Sequence, residues 1–215
     1  MKNIILILLL IFSSSVVFSA TAERDKQAAL ERTRELVAEI KKASFPELSE
    51  TIVQVELFTS ESDYFVTRLS LARFLSGRRI NFLLKVNPQV FALAAPEEGL
   101  RAIIAHELGH VVWLKQKNRM QYLGLVRLTG KKFTARFERG TDLHAVARGY
   151  ADGLSAYRQW LYQHIPPNKL AEKRRNYFSP EEIAALQAEL KQHSEKLARW
   201  FKKPPLNLKE ISAPE

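Results

Sequence analysis

The sequence predicts an α+β fold in which a small antiparallel sheet comes first and a mainly helical half follows. Residues 53–57 and 80–86 alternate apolar with polar side chains, which is the period of half-buried strands. After Pro96 the apolar residues recur at helical spacing instead, at Leu100, Ile103, Ile104, Leu108, Val111 and Val112. Strands followed by helices are typical of α+β chains.

Composition excludes several classes of protein and of site. The chain has 215 residues, of which 46% are hydrophobic and 26% charged, so it is globular rather than disordered. It has no cysteine, which excludes disulfides, cysteine-held zinc, iron–sulfur clusters and a thiol nucleophile. Any metal ion must therefore be bound by histidine and carboxylate side chains.

The first 22 residues have the pattern of a secretory signal peptide. Lys2 precedes an unbroken apolar run at 4–12, and Ala20-Thr21-Ala22 has the small residues of a signal-peptidase site. Serines at 13–15 interrupt the apolar stretch, whereas a membrane span needs about 20 apolar residues. We expect cleavage near Ala22 and export, to the periplasm of a bacterium or by secretion.

The remaining chain, 23–215, has the length of one domain. We expect its core at about 46–163 and a C-terminal helical extension over 164–215. The formal net charge of +10 suits contact with an anionic surface of the cell envelope. Export argues against nucleic acid as a partner.

Local patterns predict the elements before the helical half. A helix with a thin apolar stripe covers 23–42 and ends before Phe45-Pro46. Residues 64–75 fit both a strand and a helix. The strand at 80–86 is clearer, and Asn87-Pro88 ends it.

The helical half begins at Pro96, a residue suited to a helix start, with Glu97 and Glu98 in the first turn. A second helical stretch follows, from about 138 to 161. Ser179, with a proline after it and a glutamate three residues later, predicts a capping box and a helix that runs to about residue 203.

The first of these helices carries the HExxH pattern, His106-Glu107-Leu108-Gly109-His110. Two histidines four residues apart on a helix are separated by about 40° and about 6 Å, so both can reach one ion. Glu107 can lean over the ion's open position and accept a proton from water, whose pKa zinc lowers to about 7. Glycine costs about 1 kcal/mol in mid-helix, so Gly109 indicates a close backbone approach.

A third ligand is expected from Glu138 or its neighbourhood. Glu138 and Asp142 are four residues apart and share a helix face. Such a pair alone is usually a solvated face, but here HExxH lies upstream. We interpret Glu138 as the third zinc ligand, and Asp142 as the acceptor of a ligating histidine's other ring N–H, which fixes the tautomer.

HExxH followed by Glu138-x-x-x-Asp142 resembles the gluzincin branch of the zinc metallopeptidases, over roughly residues 80–157. The segment 86–110 is similar to the HtpX-type peptidases and their small soluble relatives. The resemblance implies a zincin-like fold, with an edge strand near 80–86 that holds an extended peptide. It also implies these roles: zinc ligands His106, His110 and Glu138, general base Glu107, and Asp142 orienting a histidine.

The chain departs from this family pattern in two ways. The HtpX-type membrane enzymes have several transmembrane helices, whereas the sequence after residue 22 has no apolar run near 20 residues. Gly140-Thr141-Asp142 also resembles peptidases that use aspartate as the third ligand, so Asp142 is the alternative to Glu138.

A zinc peptidase also needs a group that stabilises the oxyanion of the tetrahedral intermediate. The candidates are Arg148, Tyr150 and Tyr157, which lie on or after the Glu138 helix. The small residues from Ala145 to Gly153 predict close packing of this region on the HExxH helix.

The sequence thus predicts an exported zinc-dependent peptidase that hydrolyses peptide or protein substrates, with Glu107 as general base. The alternative is a non-catalytic, basic protein that binds the cell envelope or acts as a scaffold. Such a protein would retain the metal site for its stability.

Overall fold

The structure, a computed structural model, describes residues 2–69, 81–116 and 130–213, with side chains over 21–68, 81–116 and 130–213. No helix in these ranges combines the length and the apolar character that a bilayer crossing demands.

The chain begins with one long helix, α1, at Lys2–Ser44. The helix predicted at 23–42 is therefore continuous with residues 2–22. Leu36, Val37 and Ile40 form part of its buried face. A 3₁₀ turn at Pro46–Leu48 follows, as expected where a proline disfavours the helical conformation of the residue before it.

The sheet has three strands, β1 (Val53–Leu57), β2 (Phe65–Leu69) and β3 (Phe82–Val86). Their order is β1-β3-β2, with β3 parallel to β1 and antiparallel to β2. The α+β class is confirmed, but the prediction of a purely antiparallel sheet is wrong. Alternation of apolar residues reveals a strand without revealing its direction, and here the third strand inserts between the first two.

The expectation of an edge strand near 80–86 is also wrong. Phe82–Val86 is the central strand and pairs on both sides, so its backbone groups are not free to bind a peptide. Phe82, Leu84 and Val86 are buried, which agrees with the predicted alternation. β2 covers part of the ambiguous stretch 64–75, and residues 70–80 lie outside the described residues.

Helices make up the second half of the described chain. They are α2 (Gln89–Ala92), α3 (Glu97–Lys115), α4 (Lys131–Val146), α5 (Ala151–His164), α6 (Pro167–Asn176), α7 (Pro180–Gln192), α8 (Lys196–Lys202) and α9 (Leu208–Ile211). Core residues come from both halves, and those after residue 164 include Phe178, Ile183, Leu186, Trp200 and Ile211.

Two predicted helices are each divided in the structure. The stretch 138–161 consists of α4 and α5, because Gly149 adopts a φ of +86° between them, a conformation that glycine tolerates best. The helix predicted from Ser179 to about 203 is likewise α7 followed by α8. The capping box at its start is confirmed, with Ser179 and Glu182 each binding the other's backbone N–H.

The HExxH helix, α3, is the most deeply buried helix of the site region and packs against α1, β2, α4 and α5. Glycines allow its closest contacts. A Cβ on Gly109 would lie 2.9 Å from the His144 Cβ on α4, and one on Gly153 of α5 would collide with the Glu98 carbonyl oxygen. The predicted close packing is therefore confirmed.

Candidate metal centre

α3 presents both histidines of the HExxH pattern on one buried face. His106 and His110 are 1% and 7% exposed, and their ring centroids lie 4.8 Å apart. The i, i+4 spacing places the imidazoles one helical turn apart on the side of α3 that meets α4.

Glu138 on α4 completes the group. Its Oε2 lies 3.5 Å from His106 Nε2 and 3.3 Å from His110 Nε2. Tetrahedral zinc ligands at about 2.0–2.1 Å from the ion are about 3.3–3.4 Å apart. The ligand atoms of the three residues all lie within 4.8 Å of one another. Together they form a candidate site for a divalent metal ion.

The chemistry of Glu138 fits this interpretation. Its Oε2 is buried and makes no well-aligned hydrogen bond within the described part of the chain. Burial would raise the pKa of Glu138, but the adjacent His110 and His106 imidazoles outweigh burial and hold the pKa well below its usual value. A buried, ionised oxygen facing two imidazoles suits a zinc ion.

Asp142 lies on the other side of His106. Its Oδ1 is 2.8 Å from His106 Nδ1, and its Oδ2 accepts the Phe178 backbone N–H over 2.9 Å. Burial would raise the pKa of Asp142, but the charges of Arg158 and His106 and these hydrogen bonds lower it. An ionised carboxylate only accepts, so His106 carries a proton on Nδ1 toward Asp142, and Nε2, which faces Glu138 Oε2, is the nitrogen that a metal ion would bind in place of its proton.

The Thr141 hydroxyl does not compete with an ion for His106 Nε2. Thr141 Oγ1 lies 3.3 Å from His106 Nε2, but it donates its one proton to the Glu138 carbonyl oxygen over 2.7 Å.

Burial alone would lower the pKa of His106, but hydrogen bonds and charges from Asp142 and Glu138 raise it to about 9.

Glu107 lies beside the ligands with a free carboxylate oxygen. Its Oε2 is buried and has no hydrogen-bond partner among the described residues. A cavity of about 30 Å³ borders Glu107 and is also lined by His106, Tyr157, Arg158 and Tyr177. Thr67 of β2 donates to the Glu107 carbonyl oxygen over 3.3 Å, which places this strand next to the site.

The structure separates the three oxyanion candidates. Tyr157 lines the cavity beside Glu107. Arg148 instead binds the Ser44 carbonyl oxygen at 2.8 Å and the Glu47 carboxylate at 2.6 Å, and Tyr150 shares a 2.8 Å hydrogen bond with the Ser44 hydroxyl. The turn at Gly149 directs these two side chains to the end of α1, and only Tyr157 is brought to Glu107.

Other residues of the site had no sequence signal of their own. Arg158 donates to Asp142 over 2.8 Å, and the Tyr177 ring lies 5.8 Å from the His106 ring. Tyr157-Arg158 could be recognised as part of an amphipathic helix, but the pattern of that helix does not say which buried polar residue meets the site.

No family model, curated protein or solved structure matches this chain. Its function must therefore be inferred from its own residues.

Proposed function

We propose that this protein is a zinc-dependent peptidase. The observation that carries the proposal is the convergence of three ligand atoms, from His106, His110 and Glu138, together with the unpartnered carboxylate oxygen of Glu107, a residue that lines one cavity with His106. Imidazole and carboxylate donors suit zinc, and the HExxH pattern on a helix is typical of metalloproteases.

Each residue of the site has its own role in the proposed reaction. When bound, zinc supplies a Lewis acid that polarises the substrate carbonyl and lowers the pKa of water to about 7. Glu107 accepts the proton of the attacking water at its free Oε2 and passes it to the leaving amine. Asp142 holds the His106 imidazole in the tautomer that leaves Nε2 available.

Tyr157 is our candidate for stabilising the oxyanion. It lines the cavity beside Glu107, and burial raises the pKa of its hydroxyl well above the usual value. The hydroxyl therefore stays protonated and can donate a hydrogen bond to the oxygen on which charge develops. Tyr177 lines the same cavity and is the second candidate.

The sheet supports a proposal for the place of the substrate backbone. β2 pairs with β3 on one side and lies at the edge of the sheet formed by the described strands. Thr67 on this strand contacts the backbone of Glu107. We propose that an extended peptide lies along β2, in place of the strand 80–86 that the sequence suggested.

The group of three ligands found among the described residues favours a catalytic site over a structural one. Structural zinc sites are usually closed by four protein ligands, whereas catalytic sites have three and keep one position open. The alternative function, a scaffold or envelope-binding protein with a structural ion, gives no role to the free Glu107 carboxylate.

The proposal is tested by zinc content and by cleavage of casein and of a peptide library, with and without a chelator. We expect one zinc per chain and chelator-sensitive cleavage. Glu107→Gln should keep the zinc and lose about 10²–10⁴-fold in rate, and His106→Ala should lose the zinc. Stoichiometric zinc without cleavage of any substrate would instead support the scaffold function.

We also propose that the chain is exported, with residues 1–22 removed as a signal peptide, and that its positive charge contacts an anionic envelope surface. Expression of the whole gene in a bacterium, followed by N-terminal sequencing of the protein released from the periplasm, tests this. A mature terminus near residue 23 is expected, and a cytoplasmic protein that begins at Met1 would contradict it.

A further inference from the structure

His106 is backed by a buried cation, Arg158 on α5. Arg158 is 1% exposed, and its Nη2 donates to Asp142 Oδ1 over 2.8 Å. The same oxygen is 2.8 Å from His106 Nδ1. One carboxylate oxygen of Asp142, on α4, thus links the Arg158 guanidinium on α5 to His106 on α3.

Arg158 also reaches His106 by a second route. Its guanidinium lies over the Tyr177 ring, 4.4 Å from the centroid, and that ring lies 5.8 Å from the His106 ring. The next residue, Phe178, donates its backbone N–H to the other oxygen of Asp142. Arg158, Tyr177 and Phe178 therefore all lie against the Asp142–His106 pair.

This arrangement has a physical consequence for Asp142. A fully buried carboxylate is costly to ionise unless a cation or several donors compensate it. Arg158 supplies the charge through one hydrogen bond from Nη2 to Oδ1, and its guanidinium, which lies over the Tyr177 ring, is more restricted in position than a flexible ammonium would be. The orientation of Asp142 in turn sets the direction in which the His106 Nε2 lone pair points.

We propose that Arg158 is a positioning residue for the metal centre: it fixes the Asp142 carboxylate and thereby aims His106 at the ion. The inference rests on the metal site of the proposed function, and it does not require that the protein cleave peptides.

The chain offers a matched control in Arg139. This residue is 2% exposed, and its Nη1 pairs with Glu182 at 2.9 Å. Arg139 also donates to backbone oxygens of Arg174 and Arg175, so it ties α4 to α6 and α7. Loss of either arginine removes one buried ion pair. Arg139 reaches the surroundings of Asp142 through the Phe178 ring, which lies 4.8 Å from its guanidinium, whereas Arg158 donates directly to the carboxylate that holds His106.

The experiment measures zinc affinity by competition with a chromophoric chelator, and the visible spectrum of the cobalt-loaded chain, in folded full-length variants. Arg158→Met should weaken zinc binding about 10–100-fold and change the cobalt spectrum, as loss of a supporting partner does elsewhere. Arg158→Lys keeps the charge, so its zinc affinity should lie between that of Arg158→Met and that of the wild type. Arg139→Met and Arg139→Lys should bind zinc within about 3-fold of wild type and keep its cobalt spectrum.

Equal effects of Arg158→Met and Arg139→Met on affinity and spectrum would overturn the inference, because Arg158 would then be merely structural. If Arg158→Met does not fold, the comparison of Arg158→Lys with Arg139→Lys replaces it. Equal zinc affinities of these two variants would then overturn the inference. A wild-type chain that binds neither ion would overturn the metal site and this inference together. Binding with the expected pattern but no hydrolysis would overturn only the peptidase activity.

Discussion

Lys173 Nζ lies 2.6 Å from Asp63 Oδ1, and this ion pair joins two walls of the cavity beside Glu107. Asp63 precedes β2 on the sheet side, and Lys173 lies on α6 on the helical side. The cavity volume of about 30 Å³ is enough for one or two water molecules. Under the proposed function, a peptide that reaches Glu107 through this cavity needs the two walls to separate, and the ion pair opposes that separation.

We expect Asp63→Asn to raise kcat/KM for a protein substrate by about 2–5-fold. The variant removes the charge that holds Lys173, so the walls separate more easily. A half-exposed pair of this kind contributes at most about 1 kcal/mol to stability, so the melting temperature should change little. Lys173→Met should have the same effect, and the double variant should add nothing further. Unchanged rates in all three variants would show that this pair does not limit access.

Glu138→Gln and Asp142→Asn separate the ligand carboxylate from the supporting one. Glu138 Oε2 faces both Nε2 atoms, whereas Asp142 contacts the Nδ1 of His106. Glu138→Gln should weaken zinc binding by more than about 100-fold, and Asp142→Asn by about 10–100-fold. Competition titration with a zinc chelator measures both. The reverse order would identify Asp142 as the third ligand.

Local sequence patterns predicted those features that depend on residues close in the chain. The i, i+4 spacings of His106 with His110 and of Glu138 with Asp142 are set by the helix itself. The alternation in β1 and β3 likewise reports which residues of a strand are buried.

Features that depend on long-range packing could not be predicted in this way. The position of β3 between β1 and β2 is decided by how the chain returns to the sheet, and no periodicity records it. Arg158 and Tyr177 meet His106 from helices and loops more than 50 residues along the chain. Spacing alone does not distinguish Arg148 and Tyr150 from Tyr157, and the Gly149 turn between the two helices separates them.

Two glycine variants test the packing of the HExxH helix. A Cβ on Gly109 would lie 2.9 Å from His144 Cβ and 3.3 Å from the Thr141 carbonyl oxygen. Gly109→Ala should therefore lower the free energy of unfolding by about 1–3 kcal/mol, although alanine is the better helix former. Urea unfolding measures this change in the free energy of unfolding.

Gly140→Ala is the matched control in α4. Among the described residues, its Cβ would meet Pro204 Cγ alone, at an ordinary 3.4 Å. The helix-propensity gain should then dominate and raise the free energy of unfolding by about 0.5–1 kcal/mol. Equal effects of the two variants would mean that α3 and α4 are not in the close contact described above.

Removal of the metal ion should lower the stability of the protein without unfolding it. The Asp142–Arg158 ion pair and the Phe178 N–H bond hold the site through contacts that need no ion, and the apolar core surrounds it. A ligand present at about 1,000 times its Kd stabilises a fold by about 4 kcal/mol. For a chain of this size we expect the melting temperature to fall by about 10 °C with a chelator and to return when zinc is added. Circular dichroism at 25 °C provides the decisive comparison. Loss of the helical signal on chelation would mean that the ion holds the fold together, and this outcome would support the scaffold function over the peptidase.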